Sequence, residues 1–179
     1  GTHGRGLAEH FGVEDQIDLH LGTLSKSLGG MGGYVGGSDK VIAYLRPYTR
    51  SQVFSCALAP PLAAGMLEAL RIASEEPELR ARLWSNTRLM HAALEAHDID
   101  VGDSTSQVIP IMVRDDTGIF QITRDLMDAG VYLNPVRYPA VKRGQARFRV
   151  SISAAHEPAE LTRAASIIAD VLRRHEVIA

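Results

Sequence analysis

The sequence predicts a mixed α/β fold, and three observations along the chain support this prediction. An apolar stretch at residues 17–24 has the composition of a short strand and leads into a run rich in glycine. Residues 61–97 show the apolar spacing of two helices, and beyond residue 97 short strand patterns alternate with helical ones. Alternation of this kind is typical of a small α/β domain.

The composition is that of a globular protein. With 179 residues, 45% hydrophobic and 22% charged, the chain is long enough to bury a substantial core. The net charge of −2 gives no basic field for nucleic acid, and no apolar run approaches the roughly 20 residues of a membrane span. The single cysteine, Cys56, cannot form an intrachain disulfide, which suits a reducing compartment. We therefore expect a cytoplasmic protein that binds neither nucleic acid nor membranes.

The first predicted element is the strand at residues 17–24. The glycines between positions 29 and 37 allow the backbone to turn tightly after it, so we expect a turn of the hairpin type. Ser38 and Asp39 can cap a helix over residues 40–45, and Pro47 is expected to mark its end.

Two longer helices follow. Pro61 suits the start of a helix over residues 61–74, and a second helix begins near Pro77 and continues to about residue 97. Trp84 and Met90 lie at helical spacing on the second helix, and we predict that both are core residues rather than parts of a ligand pocket.

The remainder is predicted to alternate between strands and helices. The helix at residues 118–129 is closed by Gly130, and the last helix is entered at Glu157 and Pro158. The predicted elements are strands at 99–101, 108–113, 131–133 and 147–153, and helices at 118–129 and 158–175.

Lys26 is the first candidate site residue, because it lies between the strand and the glycine-rich turn. With the hydroxyls of Thr23 and Ser25 beside it, its amine is placed to carry a carbonyl cofactor as a Schiff base. Thr23, three residues earlier, could then donate a hydrogen bond to a cofactor phosphate. The alternative is a surface lysine in a glycine-rich turn.

Arg149 is the second candidate. It lies two residues after Arg147 on a predicted strand, so the two side chains point to one face and Phe148 points to the other. A guanidinium can hold a substrate carboxylate through two parallel hydrogen bonds. The alternative for a strand arginine is a surface or interdomain ion pair, which we retain for Arg147, Arg143 and Arg137. The spacing of His3 and His10 is not a metal-ligand pattern, so no metal is expected.

Four segments in order resemble the α-oxoamine synthase branch of the fold-type I pyridoxal-phosphate (PLP) enzymes. The second of them is similar to the lysine motif of that family, with Lys26 at the Schiff-base position. The segments are GTHGRGLAEHFG (1–12), GTLSKSLGGMGGYVGG (22–37), VFSCALAPP (53–61) and YPAVKRGQARFRVSISAAH (138–156).

The resemblance implies the C-terminal part of a fold-type I PLP-dependent transferase. Residues 1–60 would end the large PLP-binding domain, residues 61–97 would be linking helices, and residues 98–179 would form the small C-terminal α/β domain. Enzymes of this family are about twice as long, as expected for two domains. An aspartate and a histidine that hold the cofactor ring precede the segment matched here, so we expect the chain alone to bind PLP poorly.

The resemblance also assigns roles to individual residues. Lys26 would form the Schiff base and act as the general base, and Thr23 would contact the cofactor phosphate. Ser55, with the neighbouring Cys56, would reach the phosphate across the interface of a homodimer; the family often has hydroxyls at both positions. The alternative for Ser55 is a helix or turn cap. Arg149 would bind the substrate α-carboxylate.

The implied reaction is a Claisen-type condensation of an amino acid with an acyl thioester, which gives an α-amino ketone. The C-terminal segment is most similar to glycine C-acetyltransferase (2-amino-3-ketobutyrate CoA ligase), and the GTLSKS step also occurs in members like serine palmitoyltransferase and 8-amino-7-oxononanoate synthase. Glycine is the favoured amino-acid substrate, and serine and alanine are the alternatives. His156 is interpreted as structural first and as an active-site contributor second. The alternatives are an aminotransferase of the same fold and a catalytically incomplete fragment or subunit.

Overall fold

A computed structural model describes residues 1–179 and confirms the mixed α/β fold. It has seven helices and five strands, with one short 3₁₀ turn at Glu14–Gln16. The helices are α1 (Leu7–Phe11), α2 (Asp39–Tyr48), α3 (Arg50–Val53), α4 (Pro60–Glu75), α5 (Pro77–Glu95), α6 (Ile119–Asp128) and α7 (Pro158–Arg174). The strands are β1 (Leu19–Thr23), β2 (Gly33–Gly37), β3 (Val108–Met112), β4 (Asn134–Val136) and β5 (Arg147–Ser151). None of the helices combines the length and the apolar composition that a bilayer crossing requires.

The chain divides into two compact units, Gly1–Pro77 and Glu78–Ala179. The division falls at the start of α5 and not within a long linker. The assignment of residues 1–60, 61–97 and 98–179 to three functional segments remains a prediction.

The first unit contains the predicted hairpin. Strands β1 and β2 pair antiparallel, from Leu19 opposite Gly37 to Thr23 opposite Gly33. Met66 on α4 is its one buried apolar side chain, whereas Leu21 and Phe54 are 83% and 79% exposed. Exposed apolar surface of this extent is unfavourable in water and is typical of surfaces that contact further protein.

Helix α2 differs from its prediction at its end. It continues to Tyr48 and includes Pro47 in its last turn, where the backbone N–H of Thr49 donates to the carbonyl of Leu45 at 2.8 Å. The expectation that Pro47 ends the helix is therefore wrong by one residue, because proline removes a single donor near a terminus where the helix ends anyway. Ser38 precedes the helix, but its side chain makes no capping hydrogen bond.

The second unit is organised around a three-stranded antiparallel sheet with the order β3-β5-β4. One face of this sheet is buried, and its residues share one hydrophobic core with α5, α6 and α7. The buried side chains of that face are Ile109, Ile111, Phe148 and Val150. Arg147 and Arg149 alternate with them on the other face, as the period of two predicts.

Two predicted strands are absent from the second unit. At residues 99–101, Ile99 donates its N–H to the carbonyl of Leu94, and the carboxylate of Asp100 accepts the N–H of Gly102, so both ends are held in turns. At residues 131–133, the N–H of Val131 closes the end of α6 through the carbonyl of Leu126 at 2.8 Å. These backbone groups are used locally, although the carbonyl of Asp100 accepts the N–H of Met112 on β3 at 2.9 Å. Pairing of β4 with β5 begins only at Asn134.

Helix α5 confirms one predicted core residue and corrects the other. Met90 is buried, whereas Trp84 is 41% exposed. The inward face of the helix carries Thr87, Met90 and Leu94. Successive residues are rotated by about 100° around the helix axis, which places Trp84 about 90° from the centre of that face, so its ring faces outward.

Helix α7 begins as predicted at Glu157 and Pro158. Glu157 and Glu160 form a capping box, in which each side chain accepts a hydrogen bond from a backbone N–H at the helix start. The predicted closure of α6 is also confirmed, because Gly130 has a φ of 86° and its N–H donates to the carbonyl of Met127.

Candidate active site

Lys26 lies in the loop between β1 and β2. Its carbonyl accepts the N–H of Gly29 at 3.0 Å, and the carbonyl of Leu24 accepts the N–H of Gly30 at 2.8 Å, so the loop is a tight turn. Gly29 has a φ of 63°, a conformation that side chains rarely adopt. The Lys26 side chain is exposed and makes no hydrogen bond or ion pair. The turn therefore presents a free amine.

Two hydroxyls lie on the strand side of this turn. Thr23 Oγ1 and Ser25 Oγ are 2.8 Å apart, and Thr23 Oγ1 also accepts the N–H of Ser25 at 3.3 Å. This small cluster fixes the Thr23 side chain at the end of β1, one turn before Lys26. Thr23 and Lys26 therefore lie on the same hairpin, and their joint role toward a cofactor stays a prediction.

The glycine-rich loop packs closely against its neighbours. A Cβ on Gly30 would lie 2.4 Å from the sulfur of Met66, and a Cβ on Gly33 would lie 2.7 Å from the carbonyl oxygen of Gly22. A Cβ on Gly33 would meet a backbone atom, so glycine is required there by contact, whereas at Gly30 the Met66 side chain would have to move.

Ser55 follows α3 in the same unit, and its side chain is exposed. Its hydroxyl donates to the backbone carbonyl of Ser51, which is the capping arrangement expected as the alternative to cofactor binding. Cys56 beside it is exposed and unpaired. The role of Ser55 toward a phosphate stays a prediction, and it requires this hydroxyl to change partners.

Glu9 is a residue that sequence reasoning missed. Its carboxylate accepts the backbone N–H groups of Arg5 and His3 at 2.9 and 2.8 Å, which holds the glycine-rich segment 1–6 against α1. These hydrogen bonds, that from Arg5 first, lower the pKa of Glu9 to about 2. The signal available in the sequence was a carboxylate in the first turn of a short helix.

Arg149 lies in the second unit, on the central strand β5 and on the open face of the sheet. It is opposite Pro110 on β3 and Asn134 on β4. Its guanidinium is exposed and forms no ion pair. Arg147 differs, because its Nε donates to the carbonyl of Gln145 at 2.9 Å and its side chain is half-buried. Of the two arginines, Arg149 is the one free to bind an anion.

Arg149 and His156 line the same open groove of about 460 Å³ in the second unit. Tyr132 and Asn134 form part of its wall, and Leu161 is among its apolar lining residues. His156 uses Nδ1 to accept the N–H of Ser153 at 3.3 Å, within its own turn. This contact supports the structural interpretation of His156.

Asn86 is the second residue that sequence reasoning missed. It is only 3% exposed, and its side-chain amide donates to the carbonyls of Ser153 and His156 at 3.0 and 2.8 Å. Asn86 therefore holds the turn that follows β5 against α5. A polar residue among the apolar positions of a helix is the signal that could have identified it.

The residues of the Lys26 turn fit an aldehyde cofactor that carries a phosphate. They supply one free amine and the Thr23–Ser25 hydroxyl pair, and no Asp or Glu occurs between residues 19 and 37 to repel a phosphate. Lys26 would hold the aldehyde carbon and Thr23 would donate to the phosphate. The donor set therefore agrees with PLP, the cofactor that the resemblance implies.

The chain belongs to the aminotransferase class I and II family, which it matches over residues 2–168. The serine palmitoyltransferase of Sphingobacterium spiritivorum is 38% identical over 177 residues, which is 99% of this chain and 44% of that enzyme. The 8-amino-7-oxononanoate synthase of Thermosipho melanesiensis is 37% identical over 161 residues, which is 90% of this chain and 41% of that enzyme. Both are α-oxoamine synthases, so the resemblance stated from the motifs is confirmed.

A solved structure gives the same result for the fold. Serine palmitoyltransferase from S. paucimobilis with bound PLP-myriocin aldimine matches with a TM-score of 0.93 and 33% identity, over 99% of this chain and 45% of that one. The predicted partial fold-type I architecture is therefore confirmed. The chain spans less than half the length of each of these relatives.

Proposed function

We propose that this chain is part of a PLP-dependent acyltransferase, an α-oxoamine synthase that condenses an amino acid with an acyl-CoA or another acyl thioester. The observation that carries the proposal is the free amine of Lys26, held in a glycine-rich turn beside the Thr23–Ser25 hydroxyl pair. The relatives of this chain include serine palmitoyltransferase and 8-amino-7-oxononanoate synthase, and a serine palmitoyltransferase structure contains PLP. The condensation releases the free thiol of the carrier and, with loss of the carboxylate as carbon dioxide, gives an α-amino ketone.

Bound PLP supplies an aldehyde and an electron sink for the bond broken at Cα. Lys26 would hold the aldehyde carbon of PLP, and its amine would be the base that takes up the Cα proton of the substrate. Thr23 donates its hydroxyl to the phosphate and keeps the cofactor in register with Lys26. Ser55 is a further phosphate ligand in this proposal, after release of the Ser51 carbonyl.

Arg149 binds the α-carboxylate of the amino acid. Its guanidinium is exposed on the open face of the sheet, whereas Arg147 is occupied by Gln145. A bidentate guanidinium–carboxylate contact fixes the substrate orientation and so selects the bond that is broken. We propose glycine as the leading amino acid, and serine or alanine remain candidates.

The first test is covalent labelling of Lys26. The protein extended upstream to a complete large domain is incubated with PLP, reduced with borohydride and digested, and the modified peptide is identified by mass spectrometry. We expect the label on Lys26 and none in Lys26→Ala, whereas the exposed Lys40→Ala control keeps full labelling. Labelling that persists in Lys26→Ala contradicts the proposal.

The second test separates the acyltransferase from an aminotransferase of the same fold. Release of free thiol from acyl-CoA is followed with glycine, serine or alanine as the second substrate. We expect thiol release that depends on the amino acid and on Arg149, and the fastest of the three identifies the substrate. Amino transfer to a 2-keto acid without thioester consumption identifies the aminotransferase instead.

We propose that the complete protein is a homodimer with an active site shared across the interface. The support is the apolar surface of the first unit, where Leu7 and Phe11 are also exposed. We expect light scattering to give twice the mass of one complete chain, and an active monomer would contradict the dimer. The 179-residue chain alone is expected to bind PLP poorly, which tight stoichiometric binding would overturn.

A further inference from the structure

The segment that contains Arg149 carries an unusual concentration of positive charge. Residues 129–156 include five arginines and lysines and no Asp or Glu, in a chain whose net charge is −2. None of these five cations forms an ion pair. Elsewhere the pattern is different, because Arg71, Arg114 and Arg173 each pair with a carboxylate. One substrate carboxylate at Arg149 leaves the other four cations without a carboxylate partner.

Three of the five cations, Arg137, Lys142 and Arg143, lie on a structured loop, residues 137–146, which joins β4 to β5. The N–H of Gln145 donates to the carbonyl of Lys142 at 3.1 Å, and Gly144 has a φ of 70°, so residues 142–145 form a turn. Lys142 and Arg143 occupy its first two positions, and both are exposed. The turn therefore presents two adjacent cations to solvent.

Asp116 holds the loop in place through two hydrogen bonds. Its carboxylate accepts the N–H of Gly144 at 2.8 Å, and its backbone carbonyl accepts a hydrogen bond from Arg137 at 3.1 Å. Asp116 thus binds both ends of the loop and does not contact the side chains of Lys142 and Arg143. Its negative charge anchors the backbone and leaves these two cations available.

Arg143 is also held in a fixed orientation. Its guanidinium carbon lies 4.2 Å from the centre of the Tyr138 ring, so the guanidinium stacks on the ring. A guanidinium held this way keeps its N–H edge available for a phosphate, which it can bind through two hydrogen bonds. Lys142 beside it supplies a second, more mobile positive charge.

We propose that Lys142 and Arg143 bind the phosphate groups of the carrier of the acyl thioester, a nucleotide such as that of coenzyme A. This inference rests on the proposed function and deepens it by assigning a site for the second substrate. The loop ends where β5 begins, and Arg149 lies two residues into that strand, about 7 Å along it from Arg147. Lys142 and Arg143 thus lie in the same unit as Arg149 and close to it in the chain.

The test is direct binding of coenzyme A, measured by calorimetry on the 179-residue chain and on the complete protein. Dephospho-coenzyme A and pantetheine, which lack one and all of the phosphates, are compared with it. We expect affinity to fall with each loss of phosphate and with added salt. In the double variant Lys142→Gln/Arg143→Gln we expect a loss of affinity for coenzyme A of roughly tenfold or more, with pantetheine binding unchanged.

The matched control is Arg88→Gln/Arg124→Gln, which removes two exposed cations from helices α5 and α6 of the same unit. We expect this control to bind coenzyme A as the unmodified chain does, and circular dichroism confirms that both double variants are folded. Equal affinity for coenzyme A and pantetheine, or an equal loss in both double variants, would overturn the inference. So would binding of an acidic carrier protein that requires Lys142 and Arg143 when coenzyme A does not bind.

Failure of this inference is distinguishable from failure of the proposed function. Labelling at Lys26 and thioester consumption do not depend on where the carrier phosphates bind. If the label is found on Lys26 and coenzyme A binding is insensitive to Lys142 and Arg143, the enzyme assignment stands and this site is wrong. If coenzyme A binds at the loop but Lys26 is not labelled, the assignment of the chemistry is wrong.

Discussion

The side-chain amide of Asn86 donates to the backbone carbonyl of His156 at 2.8 Å and so links α5 to the turn before α7. Asn86 is almost fully buried and also bonds the carbonyl of Ser153. The turn lines the groove that contains Arg149, so this contact connects the core to the candidate carboxylate site.

We expect Asn86→Ala to lower the free energy of unfolding by about 2 kcal/mol, because two hydrogen bonds are lost and two carbonyls are left without their donor. Urea unfolding of the chain measures this. The control is Ser85→Ala, an exposed neighbour on the same helix, which we expect to change stability by less than about 0.5 kcal/mol. Equal effects of the two substitutions would show that the Asn86 contacts do not stabilise the fold.

Phe148 lies between Arg147 and Arg149 and is fully buried on the opposite face of the sheet. We expect Phe148→Ala to cost about 3–5 kcal/mol, since a large side chain is removed from the core. Phe120→Ala is the matched control, because this ring is 53% exposed. We expect the control to cost less than half as much in the same denaturation experiment. A small effect at Phe148 would mean that this sheet face is not the core.

The hairpin that carries Lys26 depends on glycine at position 33. A Cβ there would lie 2.7 Å from the carbonyl oxygen of Gly22, so Gly33→Ala must separate β1 from β2. We expect faster amide hydrogen exchange in both strands. Gly65→Ala is the control, because Gly65 lies in α4 with open space around its Cβ position. That substitution is expected to stabilise the helix by about 0.5–1 kcal/mol.

The pair formed by His175 and Asp125 predicts a pH dependence of stability. His175 Nε2 lies 2.7 Å from the Asp125 carboxylate, and this contact, followed by a hydrogen bond from Gln121, lowers the pKa of Asp125 below 3.8. A carboxyl group whose pKa is lower in the folded than in the unfolded chain stabilises the fold at pH values above its unfolded pKa. That stabilisation is lost as the pH falls from 3.8 through the folded pKa.

We expect the urea midpoint of the chain to fall on acidification in this range, and to fall less steeply in Asp125→Asn. Asp128→Asn changes an exposed carboxylate on the same helix that forms no ion pair, and it should keep the slope of the unmodified chain. Identical slopes in all three proteins would show that the Asp125–His175 contact does not contribute.

Local sequence patterns were sufficient for most of the secondary structure. The positions of α4, α5, α6 and α7 follow from apolar spacing, and the capping box at Glu157 follows from residue types close in the chain. The predictions failed where backbone groups had competing partners. The carbonyl of Leu126 accepts the N–H of Val131, so β4 begins only at Asn134. No pattern in residues 131–133 indicates this hydrogen bond.

The sequence by itself determined the family, the turn that carries Lys26 and the strand that carries Arg149, because these depend on residue identity and local order. Only the folded structure shows that Arg147 is occupied, by Gln145 two residues away in the chain, while Arg149 is free, and that Trp84 faces outward. It also decided that Asn86 holds the turn before α7, through contacts 67 and 70 residues apart in the chain. The physical reason is that a polar group finds its partner in three dimensions, whereas periodicity reports only which face of an element is apolar.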